Sequence, residues 1–238
     1  MFRVERQHWW YLGMEDITRS LLDRWYAQSA GLSILDAGCG TGAAMTGFLA
    51  GYGSVTGIDF SEMALRFCRQ RQARKLARAS VSALPFPAAS FDLVTSFDVL
   101  YERGVPDDAL ALAELFRVLA RGGRLLLRLP AYDWLRGQHD EGIHTARRYT
   151  TGQVKGLLER SGFALEHISY ANALLFPAAL LKRTAERLWP PSKQQSDLAL
   201  DVGAANRLLH GVLALEAPLV SHYSLPFGLS VVAVGRKS

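Results

Sequence analysis

The chain has 238 residues, 49% of them hydrophobic and 21% charged, a length for one well-buried domain and a composition that excludes a disordered chain, a collagen-like repeat and a disulfide scaffold. Its two cysteines, Cys39 and Cys68, point to neither an oxidising compartment nor a zinc cage. The formal charge of +5 lies partly in one run (Arg66, Arg69, Arg71, Arg74, Lys75 and Arg78), which reads as the solvated face of a helix and is a weak argument for nucleic acid.

In chain order, Ile17, Leu21, Leu22, Trp25 and Tyr26 recur at helical spacing, which predicts a helix over Glu15 to Ala27. A strand over Ser33 to Ala37 runs into the glycine-rich turn Gly38 to Gly42, with a helix expected from Ala43 to Ala50. Val55 to Asp59 reads as a strand, and Ser61 starts a helix with Glu62 in its first turn. Strands follow at Phe91 to Ser96 and Arg124 to Leu129, the second closed by Pro130, with a helix between them that starts at Pro106-Asp107-Asp108. A helix over Thr151 to Arg160 and strands over Phe163 to Tyr170 and Leu229 to Gly235 complete the pattern. Such alternation argues for βαβ units and a mostly parallel sheet. Asn172 to Gly228 is too long for a plain connection. Its two helical patterns, Leu174 to Trp189 and Leu198 to Glu216, read as an α-helical cap.

The turn places small residues where a strand hands over to a helix, so a ligand can approach the backbone closely. Gly38, Gly40 and Ala43 also satisfy a G-x-G-x-x-A dinucleotide fingerprint, and Asp59 could grip a ribose in either case. Asp36 weighs between the two. A carboxylate there repels a pyrophosphate but suits a ligand that carries an ammonium and a sulfonium, which describes S-adenosylmethionine. The glycines alone leave an NAD(P)-dependent oxidoreductase open.

The ordered motifs ILDAGCGTG, VTGIDFSEMAL, ALPFPAASFDLVTSFDVL and ELFRVLARGGRLLLRLP, from Ile34 to Pro130, resemble the class I S-adenosylmethionine-dependent methyltransferases, in detail their type 11 branch. HWWYLGM and HDEGIHTARRYT are similar to a bacterial subgroup described only as methyltransferases. The resemblance implies an α/β fold with a Rossmann-like seven-stranded, mostly parallel sheet, an antiparallel last strand and the helical cap inserted before it. Residues 1–30 would be an N-terminal helical lid, 31–171 the cofactor-binding core, 172–228 the cap and 229–238 the last strand. It also implies that Asp36, Gly38, Cys39, Gly40 and Gly42 line the methionine part of S-adenosylmethionine and that Asp59 holds its ribose. Phe60 and Met63 would pack on the adenine. Ser80 and Val81 fall where the family often has an acid for the adenine amino group, and Ser80 departs from it. Asp98 would sit near the methionine end, with Trp10 or Tyr11 folded over the cofactor. Cys39 also reads as a buried packing residue.

Methyl transfer runs largely on alignment and needs a base only when the acceptor must lose a proton. His139 or His144 could be that base with Asp140 to orient it, and Arg147 or Arg148 could bind an anionic acceptor. The same stretch also reads as a polar loop whose charges pair with one another. His139, Asp140, Glu141 and His144 match no standard metal spacing, so no metal is expected. Tyr101, Tyr132 and Tyr149 are further substrate-pocket candidates. The expected acceptor is a small or lipid-like metabolite, with S-adenosylhomocysteine as product. The cap, apolar and then basic at Lys182 and Arg183, reads first as a buried lid and second as a surface for weak membrane contact. A cytoplasmic location is expected, with no signal peptide and no apolar run of about 18 residues. A non-catalytic binding subunit is the remaining rival, and nothing in the sequence sets an oligomeric state.

Overall fold

Strong β-formers bounded by Gly, Pro and Asp place seven strands: β1 Leu32–Ala37, β2 Gly53–Asp59, β3 Leu76–Arg78, β4 Phe91–Phe97, β5 Leu119–Pro130, β6 Phe163–Ala171 and β7 Ser230–Lys237. The helices are α1 Trp9–Leu22, α2 Ala43–Thr46, α3 Glu62–Gln70, α4 Asp108–Val118, α5 Thr151–Arg160, α6 Phe176–Leu188 and α7 Ala205–His222. The computed structural model describes residues 2, 4–136, 145–188, 203 and 205–238, without the side chains of 182, 183 and 185–188.

The sheet order is β3-β2-β1-β4-β5-β7-β6. Strands β1 to β5 pair in parallel, and β7 runs antiparallel to both neighbours, β5 and β6. This is the Rossmann-like sheet with an antiparallel last strand that the sequence implies. The chain moves outward from β1 to β3 and returns to the other side of β1 at β4. That reversal opens a crevice at the carboxyl ends of β1 and β4, where open α/β sheets take their ligands.

Side chains of β1 alternate between two cores. Leu35 and Ala37 join Val94, Leu125 and Leu127 under α4 and α5. Ile34 joins Leu93, Leu126 and Val232 on the opposite face, packed with Met14, Ile17 and Leu21 of α1 and with Ala217 and Val220 of α7. The two helices lie very close. A Cβ on Gly13 would stand 2.4 Å from Cβ of Leu213. Polar ties join the same pair: Trp9 N to Asn206 Oδ1 at 2.8 Å, His210 to Asp16 at 2.7 Å and Ser20 Oγ to Ser221 Oγ at 2.8 Å. Glu216, fully buried on α7, accepts the backbone N–H groups of Ala173 and Leu174, each at 3.0 Å, and so fixes the chain just beyond β6.

Several boundaries differ from expectation, and β3 adds a strand. Helix α1 begins at Trp9 instead of Glu15 because His8 caps it, its Nδ1 accepting Trp10 N at 3.3 Å. Helix α2 lasts one turn, since Gly47 leaves the helical region at φ −99° and ψ −114°. Strand β3 spans three residues, too short to show a period. Strand β5 begins at Leu119, five residues early, and its register shifts against β4 between Phe91 and Leu93.

Candidate functional site

The glycine-rich turn leaves β1 through Gly38, Gly40 and Gly42, at φ +86°, +54° and +80°. At Gly38 a side chain is also excluded by space, because a Cβ would lie 2.2 Å from Cγ2 of Val99. Four of the turn's backbone donors are taken, three of them by β2. Gly38 N and Cys39 N both donate to Ile58 O (2.9 and 2.8 Å), Gly42 N donates to Cys39 O (2.9 Å) and Gly40 N donates to Asp59 Oδ2 (2.9 Å). With a one-turn α2 behind it, the loop offers little helix dipole for a pyrophosphate. The Cys39 side chain turns away from the turn's open side, into a cluster with Met45, Leu65 and Cys68. Its hydrogen bond with Cys68 and its burial push the thiol pKa up, so Cys39 stays protonated.

What the crevice offers instead is negative charge. Asp36 is 2% exposed, accepts the Thr95 hydroxyl at 2.9 Å, and has its pKa pushed up to about 6 by burial. Asp59 ends β2 with one N–H bond on each oxygen, from Gly40 and from Ser61 (2.8 Å), which leaves lone pairs on both. Burial raises its pKa as well, against those two bonds. Asp98 follows β4 at φ +59°, a left-handed non-glycine residue. Glu102 feels both Asp59 and Asp98, and with burial they raise its pKa.

Arg128 of β5 is the cation that meets these acids. It pairs with Asp98 at 2.7 Å and lies between the rings of Trp10 and Phe97, at 5.1 and 5.0 Å from their centroids. Tyr11 packs against Trp10, and burial, Glu5 and Asp98 push its pKa up to about 12. Tyr101 is buried beside Asp98 and Glu102, with its pKa raised, burial first. Asp36, Asp59, Asp98, Trp10, Tyr11 and Tyr101 are therefore brought to one edge.

Just outside Asp59, Phe60 and Met63 are 72% and 58% exposed, large apolar side chains with one face open. Arg78 braces this corner, its guanidinium 5.6 Å from the Phe60 ring centroid and its Nε donating to Phe60 O. Ser80 Oγ is occupied by Ser82 N at 3.2 Å, and the Val81 side chain belongs to the core.

Sequence reasoning missed two elements of the site. Arg128 sits inside an apolar strand, and a charge at that position was the available signal. Glu5 had none. Its buried carboxylate lies 2.6 Å from the Thr41 hydroxyl of the glycine-rich turn and 3.6 Å from Arg71, while Arg71 donates to Phe2 O and Phe2 stacks on Phe67. The first residues thus hold the turn from outside.

The stretch after β5 divides. Arg147 donates to the carbonyls of Leu100, Val105 and Pro106 and pairs with Asp108, whose other oxygen accepts the Tyr149 hydroxyl at 2.8 Å. These groups knot the loop after β4 to the start of α5. Arg148 donates to Ala131 O. Tyr132 is left-handed at φ +52° and stacks on Tyr170. His139, Asp140 and His144 lie outside the described residues.

Residues 35–127 match the family described as a methyltransferase domain. The chain carries a class I S-adenosylmethionine-dependent methyltransferase domain. It is 30% identical over 167 residues to a probable S-adenosylmethionine-dependent methyltransferase of Mycolicibacterium smegmatis, over 68% of this chain and 62% of that one. It is 41% identical over 103 residues to the demethylmenaquinone methyltransferase of Staphylococcus aureus, over 40% of this chain and 42% of that one. The methyltransferase chain of a Haloferax volcanii complex with the Trm112 methyltransferase activator superposes with TM-score 0.62 at 17% identity, covering 98% of this chain and 92% of that one. The chain thus spans 42% to 62% of the length of these two curated relatives.

S-adenosylmethionine is the cofactor of this domain, and the residues present fit it. Asp36, Asp59 and Asp98 supply negative charge for a ligand with a sulfonium and an ammonium. Among the described residues no helix is long and apolar enough to cross a membrane.

Proposed function

We propose that the protein is a cytoplasmic methyltransferase that moves the methyl group of S-adenosylmethionine to O, N or C of a small or lipid-like molecule and releases S-adenosylhomocysteine. The observation that carries this reading is the pairing of a glycine turn with buried Asp36, 2% exposed, at the end of β1. In it, Asp59 accepts both ribose hydroxyls, Phe60 and Met63 cover the adenine, and Gly38, Gly40 and Gly42 let the backbone close on the methionine part. Asp36 and Asp98 face its positive charges. Tyr11 and Trp10 exclude water from above, and Arg128 fixes Asp98 and Trp10 against each other.

When bound, the cofactor supplies an activated methyl group on a good leaving group, so the protein contributes alignment and desolvation. For an acceptor that must first lose a proton, His139 or His144 is the proposed base, oriented by Asp140. Two free cysteines held 3.8 Å apart suit a reducing compartment.

Calorimetric titration with S-adenosylhomocysteine, run beside NAD, tests the reading. Micromolar affinity for the first alone is expected. Tighter binding of NAD would overturn it in favour of an oxidoreductase, and binding of neither in favour of a non-catalytic subunit.

A further inference from the structure

Beyond the acids, the same sheet edge changes character. Pro130, Ser230 and Ala171 lie side by side in register, so the segments leaving β5 and β6 and the segment entering β7 all emerge at the edge that holds Asp36 and Asp98. Five aromatic side chains gather there. Tyr132 is 5.3 Å from Trp134, with ring planes 31° apart. On its other side Tyr132 stacks on Tyr170 at 4.9 Å and 21°. Phe176, at the start of α6, stands edge-on to Trp134, at 6.2 Å and 88°, and Phe227 lies 5.4 Å from Phe176. The result is a floor of nearly parallel rings with an upright wall.

Two further observations separate this corner from ordinary core. Trp134 and Phe227 remain 48% and 43% exposed, so the floor and the far end of the wall face solvent. Tyr132 also adopts φ +52°, ψ +112°, which a bulky residue reaches only against steric resistance. Asp98 and Asn172, after β4 and β6, are left-handed too, at φ +59° and +62°. Three neighbouring strand ends thus turn through non-glycine residues where glycine would pass without strain. The nearby arginines are engaged: Arg147 and Arg136 donate to backbone carbonyls and pair with Asp108 and Asp133.

We propose that Tyr132, Trp134, Phe176 and Phe227 form the acceptor-binding corner, and that it takes a neutral, flat, conjugated ring system. This rests on the methyl-transfer reading and names its substrate class. A flat ring laid on Trp134 meets Phe176 at its edge, so one ligand makes both arrangements that aromatic pairs prefer. Tyr132 stacks on Tyr170 at 21° and stands at only 31° to Trp134, so these rings are not splayed into a cage around a cation. With the local guanidiniums engaged, an anionic acceptor gains little there.

The probes are 2-naphthol and its saturated analogue decahydro-2-naphthol, titrated calorimetrically into the full chain with and without S-adenosylhomocysteine. The flat probe is expected to bind about tenfold more tightly than the puckered one. Trp134→Ala and Phe227→Ala should each weaken it about fivefold or more, with Trp134→Phe restoring most of the loss. Both rings are half-exposed, so the variants are expected to fold, and an unchanged S-adenosylhomocysteine affinity confirms it. Equal affinity for the two probes, or indifference to both alanine variants, overturns the proposal. Tighter binding of tetramethylammonium than of 2-naphthol also overturns it, in favour of a cationic acceptor. Failure of S-adenosylhomocysteine to bind wild type would count against methyl transfer alone, since the naphthol titration without it still reads the corner.

Discussion

The two halves of the ligand edge are built from different materials. Where β1, β2 and β4 end there are carboxylates: Asp36, Asp59 and Asp98. Where β5 and β6 end there are rings: Tyr132, Trp134, Tyr170 and Phe176. Charge placed in a low-dielectric crevice selects a cationic ligand of fixed shape, and costs stability while that ligand is absent. Apolar area selects by contour and carries no such cost. A shared cofactor suits the first construction, and an acceptor that varies between related enzymes suits the second.

That contrast can be broken at several points. The largest effect is expected outside both halves, at the knot beneath them. Arg147→Ala should lower unfolding stability by about 3 kcal/mol, since three carbonyls and Asp108 lose their donor, with the side chain's partial exposure limiting the loss. Chemical denaturation would read it, and S-adenosylhomocysteine affinity of the folded variant should not change. A selective loss of acceptor binding with full stability would return Arg147 to the substrate site.

In the acidic half, Asp59→Ala should weaken S-adenosylhomocysteine binding by about 1.5–3 kcal/mol, the range for hydrogen bonds to a charged group. Unchanged affinity would remove Asp59 from the ribose.

Protonation probes the same half with an effect of similar size. Burial lifts the Asp36 pKa to about 6, above the ordinary aspartate value of 3.8. The unliganded protein therefore holds that proton while the unfolded chain has lost it, and stability falls as pH rises from about 4 to 6, by about 3 kcal/mol, and then levels. Cofactor binding should run the other way. It strengthens as pH rises, by up to about tenfold per unit below pH 6, because the cationic ligand favours the ionised carboxylate. Asp36→Asn should flatten both profiles, which urea titrations and calorimetry across that window would show.

Smallest is Phe60→Ser, expected to weaken cofactor binding by about 1 kcal/mol, the scale of one aromatic contact. A loss as large as that of Asp59→Ala would mean the adenine is held by area and not by polar contacts.

The acidic half was legible in the sequence because it is local. Asp36 and the glycines share one turn, and Asp59 closes the next strand, so spacing alone relates them. The order of strands followed from alternation, although three-residue β3 left no period to find. The setting of Arg147 was hidden for the opposite reason. Its partners at Leu100, Val105 and Asp108 lie about 40 residues away, and only the fold reveals that its terminal nitrogens reach them. Glu5 on Thr41 is a contact of the same long-range kind.

The tight seam between α1 and α7 governs when the protein can exist at all. Met14, Ile17 and Leu21 find their cover in Ala217 and Val220, some 200 residues later. Contacts of such sequence separation slow folding and leave early segments sticky until the late ones arrive. During synthesis the carboxylates and glycines of the crevice are all made well before that cover exists. Helix α1 is therefore expected to seat late, once α7 has emerged.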